Sequence, residues 1–457
     1  MSKHESLEVR VAVESDNPAL VRNEALCVNC SMCRQVCEDY IGVHGHYSLE
    51  KTGDKAICVH CGQCINVCPT GSLFGRPEYE DVAKAIGDPD AIVVFSTSPA
   101  VRVALGEAFG MPAGSFEQGK MVGLLRALGA DYVLDTNFAA DLTIMEEASE
   151  LVERLTKNTG PIPQFTSCCP AWVKYAETFH PQWLPNISTA KSPIGMQGAA
   201  VKTYFAEQNK LDARRIVHVA VTPCTAKKFE IRREEMCASG MRDTDFVITT
   251  TELALWAQEK GLDFASITES EFDPIMGKGS GAGVIFGNTG GVMEAALRTA
   301  YLLITGERAP ADFYELTPVR GLRDVTIANL TLNVAVIYGT ANASKVIKEL
   351  EAGTKQYHFI EVMTCPGGCI SGGGQPKLNW GQEDQTRQSR IDALYERDRT
   401  MPAGERTSAD NEEIKAIYEN FLGKPLSEKA EALLHTRYTD RSGNLGEKPM
   451  KYICKVC

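Results

Sequence analysis

Glu361-Val-Met-Thr-Cys-Pro-Gly-Gly-Cys-Ile-Ser-Gly-Gly-Gly-Gln-Pro376 joins an apolar run to a glycine-rich turn carrying two cysteines four residues apart. A lone buried thiol behaves as a small hydrophobe and needs no function. Here Cys365 and Cys369 flank Pro366, Gly367 and Gly368, and Gly372 to Gly374 follow. Such backbone can wrap closely round a bulky body and turn amide N–H groups toward it. Soft thiolates at this spacing suit iron–sulfur ligation or zinc. A phosphate loop is disfavoured, because the Gly-Lys-Ser/Thr ending that grips phosphate is missing after the glycines.

Working outward, short apolar runs alternate with helical stretches from Ala91 on, which predicts an α/β arrangement with largely parallel strands. Strands are expected at 91–95, 132–134, 163–165, 216–221, 246–249, 333–338 and 357–362. Helices are expected at 139–157, 171–179, 251–260 and 343–352, among others. Cys168 and Cys169 come just after one strand, Cys224 after another and Cys365 after a third. An open α/β sheet binds its ligands at the carboxyl ends of its strands, so three separate stretches should converge on one site.

The chain has 457 residues, enough for about three domains, each with its own core. A hydrophobic content of 44% and a charged content of 23% are those of an ordinary globular protein. The net charge of -12 argues against general nucleic-acid binding. No stretch offers the ~18 consecutive apolar residues of a membrane span, and residues 1–21 lack the apolar run of a signal peptide. A cytoplasmic protein is therefore expected. Its 16 cysteines cluster in tight pairs and triplets that a disulfide framework would not require, which favours metal ligation.

The N-terminal part holds an internal repeat, Cys27-x2-Cys30-x2-Cys33-x3-Cys37 followed by Cys58-x2-Cys61-x2-Cys64-x3-Cys68. Each copy has the bacterial ferredoxin spacing, in which three cysteines hold one 4Fe-4S cluster and the fourth crosses to the other. Cys27, Cys30, Cys33 and Cys68 are then expected on one cluster, and Cys58, Cys61, Cys64 and Cys37 on its neighbour. Glu38 stands where proline usually follows the fourth cysteine, whereas Pro69 keeps it. With both clusters supplied by thiolates, His44, His46 and His60 are expected at the surface. The expected division is a ferredoxin-like domain at 1–85, a two-lobed α/β domain at 86–380, a charged helical segment at 381–440 that wraps the outside, and a tail at 441–457. Helices are expected in the wrap at 411–420 and 426–435, and the tail ends in Cys454-x2-Cys457.

Two further motifs carry chemistry. Thr166-Ser-Cys-Cys-Pro-Ala-Trp172 has adjacent cysteines, which cannot comfortably both point at one small target. One is then a ligand, and the other is a free thiol that a nearby positive centre could tune toward neutral and make a proton carrier. Thr222-Pro-Cys-Thr-Ala-Lys-Lys-Phe-Glu230 supplies one more thiolate, with Lys227 or Lys228 able to aim an ammonium at an anionic ligand and Glu230 as a carboxylate nearby. Cys237 lies outside every motif and is expected to be structural or exposed.

Residues 166–172, 223–230 and 361–376 together resemble the three signature motifs of the iron-only (diiron) hydrogenases, and the eight-cysteine module resembles the ferredoxin domain of their two-cluster members. The resemblance runs from about Glu24 to about Tyr438 and includes the stretches 135–147 and 280–287. It implies an H-cluster: a 4Fe-4S cubane held by Cys169, Cys224, Cys365 and Cys369, with Cys369 bridging to a two-iron unit that bears CO, cyanide and a dithiolate. It further implies that Cys168 is the proton-carrying thiol and that Lys227 bonds a cyanide. Pro99, Ala100, Phe286, Gly287 and Met363 should line the pocket. Glu230, Ser188, Glu147 and Arg154 should lead protons outward. Ferredoxin or a partner subunit would exchange electrons at the outer cluster, and dedicated maturation proteins would build the two-iron unit. Thr222 and Ile194 depart from the family's usual methionine and glutamine, at positions that tune rate, bias and gas sensitivity. An H2 or redox sensor on the same scaffold is disfavoured by the intact Cys168 and acids, and a hydrogenase-like iron–sulfur assembly protein by the intact glycine-rich pocket with Lys227.

Overall fold

The computed structural model describes residues 8–310, 323–327, 330–378 and 381–446. Cys454 and Cys457 lie outside the described residues. Runs rich in β-branched and aromatic residues build two four-stranded sheets. The first has the order β4 (Tyr132–Asp135), β3 (Ile92–Thr97), β6 (Ile216–Thr222), β7 (Phe246–Thr249), all parallel. The second has the order β5 (Gln164–Phe165), β10 (Phe359–Met363), β9 (Leu330–Tyr338), β8 (Arg323–Ile327), with β8 antiparallel at one edge. A parallel sheet must be covered on both faces, and alternate side chains do this here. Val93 and Phe95 of β3 enter one core and Val94 the other. Ile360 and Val362 of β10 enter a third core, while Phe359 and Met363 enter a fourth.

Most expected elements form, with shifted ends. The helix expected at 139–157 spans Thr136–Lys157, because the Asp135 side chain accepts the Asn137 N–H and starts it earlier. The expected 411–420 helix is Glu412–Ile417, continued by a wider turn to Leu422. The buried helix Gly291–Thr305 and the helices Gln118–Leu128 and Glu383–Thr400 complete the layers.

The N-terminal module carries a two-stranded antiparallel ribbon, β1 (Leu20–Arg22) with β2 (Leu73–Gly75), across its two cysteine runs. Two sequence expectations fail here. His44 and His60 are buried and only His46 is exposed, because the loops bearing the first two pack against the body of the protein. The C-terminal segment is also more than an outer wrap. Arg390 is fully buried and donates to the Ile370 and Pro376 carbonyls behind the glycine-rich turn, with Glu107 as counter-ion.

Candidate active site

The carboxyl ends of strands from both sheets open on one cavity. Cys168, Cys169, Cys224, Cys365 and Cys369 all line it. Local sequence explains how each arrives. Cys169 caps helix Pro170–Phe179, whose Pro170 fixes a helical φ at the first position, so both adjacent cysteines sit on a strand-to-helix turn. Cys224 follows β6 directly, and Cys365 and Cys369 follow β10. The glycines that follow them permit close backbone packing. A Cβ on Gly372 would lie 2.2 Å from the Pro223 carbonyl oxygen, and one on Gly373 would lie 2.5 Å from the Cα of Gly62 in the N-terminal module.

Pro99, Ala100, Phe286, Gly287 and Met363 line the rest of the cavity, as do Ile194 and Thr222. Lys227 reaches its edge, with Nζ 3.2 Å from the Cys168 carbonyl oxygen and 2.8 Å from Glu230 Oε2. Burial pulls this ammonium's pKa down, but Glu230 and Cys224 outweigh it, so the group is held charged. Glu230 also accepts from Ser192 Oγ at 2.9 Å. It is thus the counter-ion of Lys227, and its hydrogen bonds do not run to Glu147 or Ser188.

Cys168 and Cys365 are buried, and Cys169, Cys224 and Cys369 are partly buried. Burial first, and then Cys224, Cys169, Cys61 and Cys369, push the Cys365 thiol far up; Cys224 rises to about 11 from burial and Cys169. Protein alone cannot stabilise several thiolates together here, whereas bound iron can. Among the described residues no three His, Cys, Asp or Glu side chains converge on a single metal ion. Five thiols spread round one cavity, no three of them grouped on one point, fit a polynuclear body better than one zinc ion.

Cys168 begins a polar chain away from the cavity. Burial, followed by Glu147 and Cys169, pushes its thiol up. Glu147 is fully buried, and burial together with Glu150 raises it to about 8. Its Oε1 accepts the Ser167 N–H at 3.3 Å, while Oε2 has no partner among the described residues. Ser188 donates to Glu150 Oε2 at 2.7 Å, and Arg154 reaches Glu150 Oε1 at 2.5 Å. Glu150 and Arg154 then line an open cavity toward solvent, together with the exposed Cys237. Glu150 escaped the sequence reading, although it lies three residues from Glu147 on the same helical face and four before Arg154.

In the N-terminal module, Cys37, Cys58, Cys61 and Cys64 border one small cavity and Cys27, Cys30, Cys33 and Cys68 border another. Cys61 also borders the large cavity. Gln63 Nε2 donates to Cys365 Sγ and to the Ser371 carbonyl, both at 3.0 Å, tying the module to the glycine-rich turn.

Residues 91–373 match the family model described as iron only hydrogenase large subunit, C-terminal domain. Residues 384–441 match iron hydrogenase small subunit, and 52–74 match a 4Fe-4S binding domain. The chain is 43% identical over 445 residues to iron hydrogenase 1 of Clostridium pasteurianum, covering 93% of this chain and 77% of that one. It is 49% identical over 302 residues to the periplasmic [Fe] hydrogenase large subunit of Nitratidesulfovibrio vulgaris, covering 65% and 72%. A solved structure of the [FeFe]-hydrogenase HydA(deltaEFG), a stage in H-cluster assembly, superimposes with a TM-score of 0.70 at 38% identity, over 79% of this chain and 98% of that one.

Proposed function

The chain belongs to the iron-only hydrogenases, and from that membership we propose which of its residues hold the cofactors and carry the protons and electrons. It is an enzyme that oxidises H2 or reduces protons, and its cofactors are an H-cluster and further 4Fe-4S clusters. The observation that carries the assignment is the convergence of five cysteines from three separate loops on one cavity with the Lys227 ammonium at its edge.

Cys169, Cys224, Cys365 and Cys369 would hold the cubane of the H-cluster, and Lys227 would bond the anionic ligands of the two-iron unit. Pro99, Ala100, Phe286, Gly287 and Met363 would surround that unit and exclude water from it. When bound, the H-cluster supplies the redox chemistry that interconverts H2 with two protons and two electrons. The chain supplies the exits. Cys168 Sγ exchanges a proton at the cavity, Glu147 relays it, and Ser188, Glu150 and Arg154 lead it to the open cavity at the surface. A carboxyl group with a pKa near neutrality is suited to give and take protons in this range. Glu230 serves this route by fixing Lys227 and is not itself a link in it. Cys37, Cys58, Cys61 and Cys64 would hold the cluster next to the site, and Cys27, Cys30, Cys33 and Cys68 the outer one.

The same proposal includes the division 1–85, 86–380, 381–440 and 441–457. Electron-transfer proteins are its partners, with ferredoxin or a partner subunit proposed at the outer cluster and maturation proteins proposed for the two-iron unit. Among the described residues no helix is long and apolar enough to cross a membrane. Cytoplasmic residence is proposed and is open to fractionation, since the similar N. vulgaris subunit is described as periplasmic.

The test is infrared spectroscopy of the anaerobically matured protein in the CO and cyanide stretching region, paired with H2 evolution from a reduced viologen dye. Wild type should show both sets of bands and turn over. Cys168→Ala should keep iron and bands while turnover falls by at least about 100-fold, as for loss of a general acid–base group. Iron loss in that variant would mean that Cys168 and not Cys169 is the ligand.

A further inference from the structure

The turn between Cys58 and Cys61 seats the buried His60 ring against Phe229, with centroids 4.8 Å apart. Three cations gather round the same phenyl ring. Lys174 Nζ lies 4.2 Å from its centroid, and the Arg441 and Arg233 guanidinium carbons lie 5.5 and 6.0 Å away.

The two arginines are neutralised. Both bind the fully buried Glu177, Arg233 at 2.5 Å and Arg441 at 2.7 Å, and Arg233 also pairs with Glu235 at 2.6 Å. Lys174 is not. Its ammonium touches His60 Nε2 at 2.7 Å and the face of Phe229, and among the described residues it forms no salt bridge. An ammonium only donates, so Nε2 accepts and the His60 proton sits on Nδ1, leaving the ring neutral. A half-buried ammonium held by two neutral groups has no carboxylate at salt-bridge distance among the described residues, and an anion nearby would balance it. Burial lowers this ammonium's pKa to about 8, a shift that Cys58 opposes, and its partner His60 sits in the chain between Cys58 and Cys61.

We propose that Lys174 is the counter-charge of the 4Fe-4S cluster at Cys37, Cys58, Cys61 and Cys64, and that its ammonium sets that cluster's reduction potential. The inference rests on the ligand reading given under Proposed function. A cluster bound by four thiolates is anionic and gains one more negative charge on reduction, so a fixed cation beside it favours the reduced state and raises the potential. Lys174 is a positioning residue in this scheme, acting through its field on the relay by which electrons reach or leave the active site. His60 and Phe229 hold the ammonium in place without cancelling it.

The experiment is an EPR-monitored redox titration of the holoenzyme and its Lys174→Met and Lys174→Arg variants, with iron analysis of each. The midpoint of the cluster nearest the active site should move to lower potential in Lys174→Met and stay near wild type in Lys174→Arg, with the outer cluster unchanged in both. An unmoved midpoint in Lys174→Met, or an equal shift in Lys174→Arg, would overturn the proposal. If Lys174→Met loses that cluster's iron, retention in Lys174→Arg supports the counter-charge and loss in both variants refutes it. A wild type with no cluster at these cysteines would instead overturn the ligand reading, a separate failure visible in the iron content alone.

Discussion

Glu147 shows what burial does to a single residue in this protein. A carboxylate on a helix is usually a solvated one, yet this one is fully buried with its pKa raised to about 8 by burial and then by Glu150. Below its unfolded value of 4.5 the group is neutral in both states and costs nothing. Between there and about 8 the unfolded chain gives up the proton that the folded chain keeps, so stability is lost as pH rises through that window and levels off above it. Glu147→Gln should remove this share of the pH dependence, at most about 1.4 kcal/mol per pH unit. Denaturant midpoints of the two proteins across the window should converge toward its acid end and diverge toward its basic end; parallel curves would mean the carboxyl titrates normally. Legibility at this scale followed chemistry. The cysteines were readable because ligand spacing has few other causes. Glu150 was not, because a glutamate between other helical polar residues carries no sign of burial, and His60 was not, because only the packed loop puts Lys174 and Phe229 around it.

At the level of elements, the strand-to-loop junctions were legible and the contacts between loops were not. Apolar runs ending in Thr-Pro-Cys, Ser-Cys-Cys and Thr-Cys-Pro marked the carboxyl ends of β6, β5 and β10 correctly. Nothing local foretold that Gly373 would meet Gly62, some three hundred positions away in the sequence. The consequence can be tested. A Cβ at residue 373 would lie 2.5 Å from Gly62 Cα and 2.9 Å from the Cys61 carbonyl oxygen, both backbone atoms that no rotamer change can clear. Gly373→Ala should therefore push the N-terminal module off the turn and break the Gln63 bonds to Cys365 and Ser371. The expected cost is about 1–3 kcal/mol, the usual range for overpacking, read as a lowered denaturation midpoint. Gly443→Ala, where a Cβ would meet no other atom within 4 Å among the described residues, is the control and should match wild type.

Across the whole molecule, the sequence pattern indicated two lobes around one site but cast the C-terminal segment as an outer covering, because its composition is charged and helix-prone. The structure gives part of it a different task. From Leu434 to Arg441 the chain runs beside residues 177–191, bonding Lys191 N to Leu434 O, Thr436 N to Thr189 O and Thr439 N to Glu177, while the Tyr438 hydroxyl reaches the Ser188 carbonyl. This strap braces Ser188 on the proton side and, through Arg441 and Glu177, the cations around Phe229 on the electron side. Past Gly443 no comparable tie to Ser188 or Glu177 is made among the described residues. A chain ending at Gly443 should therefore turn over H2 at the wild-type rate with iron content unchanged. A chain ending at Leu434 should lose the brace on Ser188, and its turnover should fall by at least about 10-fold even where the cluster iron is retained, as when a group that positions a proton relay is displaced. Equal rates in the two truncations would mean that the Ser188 to Glu150 contact stands without the strap. Loss of the H-cluster bands in the longer one would assign the tail a part in building the site.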